Sequence, residues 1–88
     1  MKLSVFAIFD SKAEAYASPF FMGAIGQAIR AFSDEASNDS SNIAKHPEDY
    51  TLFHLGTYDD ATASFDLLPT PRSLGVAVEF VGGRGQAA

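Results

Sequence analysis

A single apolar stripe constrains this chain more than any other feature. Phe21, Ile25, Ala28, Ile29, Phe32 and Ala36 recur at spacings of three and four, and Gln27, Arg30 and Asp34 take the opposite side. That spacing predicts an amphipathic helix over Met22–Ala36. Gly23 and Gly26 weaken its first turns by about 1 kcal/mol each relative to Ala, so the helix either starts late or uses the glycines for a close backbone contact. The stretch SNDSSN, Ser37 to Asn42, ends it, because these side chains compete for backbone hydrogen bonds. One helix cannot bury its own stripe and must lay it on another layer.

That layer reads as a sheet. In Lys2 to Phe9, Leu3, Val5, Ala7 and Phe9 take one face, and Phe6 and Ile8 join Ser4 on the other. Apolar residues on both faces indicate a central strand, or a face kept for a partner. Asp10-Ser11-Lys12 reads as a turn. Ala15 to Phe20 is a returning strand that Pro19 confines to an edge or an ending. His46-Pro47-Glu48-Asp49 is a second turn, since Pro47 has its φ preset. Tyr50 to Tyr58 follows as a strand, with Tyr50, Leu52, His54 and Tyr58 on one face and Thr51, Phe53, Leu55 and Thr57 on the other. Asp59 to Thr62 connects it to a strand over Ser64 to Leu68. Thr70-Pro71 offers an N-cap followed by proline, which predicts a short helix from Pro71 to about Glu79. A strand through Leu74 to Val81 is the rival reading, because Val76, Val78 and Phe80 favour β structure.

The expected architecture is therefore α+β: a small antiparallel sheet with one main helix packed on one face and a short C-terminal helix. Residues 1–81 form a single domain, and 82–88, rich in glycine, form a flexible tail. At 88 residues, 47% apolar and 19% charged, the proportions are globular. A chain this small buries only roughly 60% of its unfolded surface. Its eight Phe and three Tyr thicken the core, and some rings stay available to a partner or to self-association.

Composition removes several function classes. There is no cysteine, hence no disulfide, thiol nucleophile or thiolate zinc site. The opening MKLSVFAIFD is too short and too soon interrupted for a signal sequence, and no segment is long enough to span a bilayer, so no membrane role is expected. A net charge of −5 argues against bulk binding to a phosphate backbone. The six basic residues, Lys2, Lys12, Arg30, Lys45, Arg72 and Arg84, are scattered.

No catalytic or metal motif appears. His46 and His54 are not at zinc-ligand spacing; His46, Glu48 and Asp49 meet at one turn, where a solvated turn is the better reading than a metal site. Glu48-Asp49 and Asp59-Asp60 are carboxylate pairs, but in turns Asp serves its own backbone more often than chemistry. Gly82-Gly83-Arg84-Gly85 precedes no helix and is not a phosphate loop. The reading is of no enzyme, no cofactor and no metal. The sharper candidate is single-stranded nucleic acid, whose bases stack on exposed rings beside a modest basic groove. Candidate rings are Tyr16, Tyr50, Tyr58 and Phe6, and candidate cations are Lys2, Lys12 and Arg30; the competing reading places these rings in the core.

Five blocks, DSKAEAY (Asp10–Tyr16), PFF (Pro19–Phe21), AIRAFSD (Ala28–Asp34), HPEDYTLFHLGTYDDATA (His46–Ala63) and SLGVAVEF (Ser73–Phe80), taken in order and spacing, resemble the small nonstructural protein of gokushovirus-type Microviridae, the tailless single-stranded DNA phages. The resemblance runs from Met1 to about Val81 and leaves out the glycine-rich tail. The helix entry Met22 to Gln27 is more apolar and glycine-rich than the resemblance implies. The resemblance implies a nonstructural DNA-binding protein linked to single-stranded genome synthesis and packaging, working in the host bacterial cytoplasm and not as a major virion component. It carries no catalytic motif. Set against the acidic charge, it leaves two expectations. One is direct contact with single-stranded DNA, for which Lys12, Tyr16 and Arg30 are the candidate residues. The other is an assembly role, as a homo-oligomer or an adaptor to a phage replication or capsid protein.

Overall fold

The computed structural model of the chain describes residues 1–81; the expected tail over 82–88, with Arg84, lies outside the described residues. Strand β1 (Lys2–Asp10) is followed by two short strands, β2 (Ala15–Tyr16) and β3 (Phe20–Met22), then helix α1 (Ile25–Ala36) and a one-turn helix α2 (Asn42–Lys45). A 3-10 turn (Pro47–Asp49) leads into β4 (Tyr50–Asp59), β5 (Ser64–Val76) and a closing 3-10 turn (Ala77–Glu79). The strands form one antiparallel sheet in the order β2-β1-β4-β5, with β3 beside β2 on the same edge of β1. The α+β expectation holds, with the main helix across one face.

The helix-side core explains this arrangement. Ala28, Phe32 and Ala36, at i, i+4 and i+8, are buried against Phe6 of β1 and Leu52 of β4. Small residues at both ends of that stripe let the helix sit close to the sheet while Phe32 fills the centre. Phe80, from the closing turn, meets Phe32 edge-on with centroids 5.7 Å apart, so the chain's last described residues complete the same core.

The structure corrects the sequence reading in four places. The returning strand is not continuous over Ala15–Phe20: Ala17-Ser18-Pro19 separates β2 from β3, because a proline cannot donate to the ladder. The helix starts at Ile25, not Met22; Met22 instead pairs with Ser4, and Gln27 Oε1 accepts the Ala24 N–H at 3.2 Å as the helix entry. The helix over Pro71–Glu79 does not form. Arg72 and Ser73 pair with His54 and Phe53, and Val76 pairs with Thr51, so pairing to β4 outweighs the local Thr-Pro signal. Pro69 and Pro71 lie in a stretch of β5 without ladder partners, where a missing N–H costs nothing. Only Ala77–Glu79 turns helically, after Gly75 at φ +141°.

The fourth correction concerns faces. Val5 pairs with Gly56 but Phe6 pairs with His54, so Leu55 is an extra residue in β4 and forms a bulge. A bulge shifts side-chain parity beyond it. Tyr58 therefore does not share a face with Tyr50, Leu52 and His54; it lies on the opposite face, with Phe53.

Candidate functional site

Strand alternation sends Phe6 and Ile8 toward α1, and Leu3, Val5, Ala7 and Phe9 to the other face of the sheet. The ladder register adds Tyr16 beside Phe9, Phe21 beside Val5, Phe53 beside Ala7, Tyr58 beside Leu3, and Phe65 and Leu67 beyond them on β5. Among the described residues no helix covers this outer face.

Its rings gather into two groups. At one end Tyr16 packs on Phe9 with centroids 4.9 Å apart and meets Phe53 edge-on at 5.5 Å. At the other, Phe21, Tyr58 and Phe65 pack together, with Tyr58 and Phe65 4.8 Å apart and Phe21 and Tyr58 5.4 Å apart. Between the groups, Val5 and Ala7 are buried although they point away from α1; their ladder partners include Phe21 and Phe53. Tyr16, Phe21, Phe65 and Leu67 remain 48%, 42%, 56% and 61% exposed.

Charge is sorted by face. Among the ladder-paired positions, Lys2, Asp10, Asp59, Asp66 and Arg72 all fall on the α1 side, and none of those on the outer face is charged. An exposed sheet face that is ring-bearing and uncharged is a surface prepared for apolar or π contact.

The predicted contact residues do not all converge. Lys12 and Tyr16 belong to one hairpin, whose turn is tied by the Lys12 N–H donating to Asp10 Oδ1 at 3.0 Å. Arg30 is exposed on α1, and so belongs to the layer on the opposite side of the sheet from Tyr16. Of the other candidate rings, Phe6 is fully buried and stacks on Phe20 at 5.6 Å, which removes it as a stacking platform. Tyr50 is on the helix side. Burial, then the charges of Asp10 and Asp49, push its phenol above the ordinary value. Lys2 also starts on the helix side, opposite Asp59. Sequence reasoning did not single out Phe9, Phe53, Phe65 or Leu67. The alternation in β1 was a usable signal for Phe9, whereas the bulge hid the shared face of Phe53 and Tyr58.

The remaining titratable groups fit turn chemistry. Asp59 Oδ1 accepts the Ala61 N–H at 3.0 Å, and Asp60 Oδ1 accepts from the Met1 ammonium at 2.8 Å. That bond to Asp60 raises the Met1 ammonium pKa. His46, Glu48 and Asp49 bring ligand-type atoms within 4.8 Å of one another, on an open turn. His54 is far from them in character: it is buried beside Phe6, centroids 5.3 Å apart, and neither ring nitrogen has a hydrogen-bond partner among the described residues. The described residues form no pocket, and no helix is long and apolar enough to cross a membrane.

No curated protein and no solved structure matches the chain. A family model described as "Phage ORF5 protein" matches residues 3–80. The chain belongs to that family and is a phage protein.

Proposed function

We propose that this phage protein acts without catalysis in the replication or packaging of a single-stranded DNA genome, in the cytoplasm of the infected bacterium, by stacking bases on its outer face. The observation that carries the reading is the Phe9–Tyr16–Phe53 group: adjoining rings on an uncharged sheet face, with Tyr16 half exposed. Exposed rings on a sheet are a recurring platform for unstacked bases, and they accept any sequence because every base has a π-face. The likeness to gokushovirus-type nonstructural proteins supports the choice of single-stranded DNA. Lys12, in the same hairpin as Tyr16, supplies a cation for one phosphate. Arg30, in the opposite layer, takes no part in this path.

The acidic charge shapes the expectation. A protein of net charge −5 that engages DNA through rings and one lysine has a shallow salt dependence, with a log–log slope of about −0.7 if one phosphate is neutralised. The test is fluorescence anisotropy of a labelled single-stranded oligonucleotide at low and moderate salt. Saturable binding is expected, with preference over duplex. Tyr16→Ala should weaken it roughly 5- to 150-fold, the loss of one stacked base, and Arg30→Gln should leave it unchanged. An absence of saturable binding at low salt would sink the reading and leave an adaptor to a replication or capsid protein in its place.

A further inference from the structure

The far end of the outer face has a different character. Leu3, Phe21, Tyr58, Phe65 and Leu67 are gathered there, roughly 20 Å along β1 from Phe9 at the usual strand rise. We infer that this patch is the contact surface for a second copy of the chain, packed face to face about a two-fold axis. The inference is independent of DNA binding by the Tyr16 end.

Area and composition argue for it. Phe65 and Leu67 are 56% and 61% exposed, and Phe21 is 42% exposed. With the half-buried Leu3 and Tyr58 they present roughly 400 Å² of apolar surface, taking the usual area of such side chains. Two copies of that core bury about 800 Å², and a polar rim contributing about 200 Å² more brings the total to the roughly 1,000 Å² that a specific interface needs. The rim is available in the hairpin between β4 and β5, where Thr62 donates to Ser64 at 2.9 Å.

Shape points the same way. The shortest extent is 22 Å against a longest of 41 Å, and the radius of gyration is 13.5 Å, where a compact domain of this length has about 12 Å. One sheet and one helical layer account for that flatness. A second sheet at the ordinary packing distance of about 10 Å, seated over the Leu3, Tyr58 and Phe65 end only, supplies a missing layer there and leaves the Tyr16 end open.

The alternatives are less favourable. Pairing through a sheet edge is obstructed: β5 carries Pro69 and Pro71 on its outer edge, and the opposite edge is broken into β2 and β3. Nucleic acid is disfavoured at this end, because none of its ladder-paired outer-face positions is a Lys or Arg that could hold a phosphate. Each copy carries a net charge of −5, and salt screens the repulsion between two such copies. The dimer therefore tightens with added salt, opposite to a phosphate contact.

The experiment is sedimentation velocity of the full chain from about 1 to about 500 µM, the range for an interface of this size. The mass should rise from 9.4 kDa toward twice that value, and more readily at higher salt. Leu67→Asp, at an exposed position, should raise the dissociation constant at least about 30-fold, as loss of a central contact does. Val78→Asp, exposed at the other end of the sheet, and Tyr16→Ala should leave it unchanged. Because the chain has no tryptophan, Phe65→Trp adds a local reporter whose emission should shift to the blue as concentration rises. A wild-type chain that stays at 9.4 kDa throughout overturns the inference, as does a Leu67→Asp variant that associates like wild type.

Discussion

Gly56 of β4 lies directly against the backbone of Asp66: a Cβ at Gly56 would sit 2.3 Å from the Asp66 carbonyl oxygen. Its φ of +151° is also one that side-chain-bearing residues avoid. This contact holds the bulge at Leu55, which turns Tyr58 to the outer face. Gly56→Ala should destabilise the fold by at least about 2 kcal/mol, and lower Tm by roughly 10 °C. Gly26 provides the contrast. It sits in α1 with nothing within 4 Å of its Cβ position, so Gly26→Ala should raise stability by about 0.5–1 kcal/mol in the same thermal melts.

His54 is 8% exposed and leaves both ring nitrogens unpaired among the described residues. A buried polar group without a partner opposes folding, and an apolar group of similar volume removes that cost. His54→Leu should raise the urea midpoint by an amount equivalent to about 1 kcal/mol. A variant less stable than wild type would show that the imidazole makes a contribution beyond its packing on Phe6.

Ala63, in the turn between β4 and β5, has φ +58°. That left-handed conformation is costly for alanine and nearly free for glycine. Ala63→Gly should stabilise the protein by about 0.5–1 kcal/mol, after allowing for the greater freedom of glycine in the unfolded chain. Differential scanning calorimetry would read this as a higher Tm with an unchanged unfolding enthalpy per residue.

Tyr50 has a phenol whose pKa is raised above 10.0 by burial and then by Asp10 and Asp49. In the folded protein the neutral form is favoured, so the unfolded chain loses this proton first as pH rises. The contribution is fully present below about pH 10 and is lost as pH climbs through the folded value. Urea unfolding at about pH 8 and about pH 11 should show a smaller alkaline loss in Tyr50→Phe than in wild type. Equal losses would mean that neither burial nor the two acids raise this phenol in the folded protein.

Local pattern was enough for much of the framework. The stripe through Ala28, Phe32 and Ala36 is a short-range signal that a helix satisfies, and the short, β-favouring run of Lys2 to Phe9 ahead of the Asp10 turn reads as a strand for a similarly local reason. The turns at Pro47 and Asp59 were legible for the same reason, since proline and aspartate act on their own backbone. Tyr16 and Lys12 stood among the rings and cations the sequence offered, but Phe6, which is buried, and Arg30 could not be separated from them without knowing which layer carries each.

The sequence by itself determined that one amphipathic helix must cover one face of an antiparallel sheet, because no other element could bury its stripe. Tertiary structure decided the rest. Whether Arg72 to Val76 is helix or strand depends on β4 lying alongside to receive its hydrogen bonds, a partner distant in the chain. Which face holds Tyr58 depends on one extra residue, Leu55, that exists as a bulge only relative to β1. Both are properties of pairing, and only pairing assembled an uncharged face of aromatic rings from residues scattered between Leu3 and Leu67.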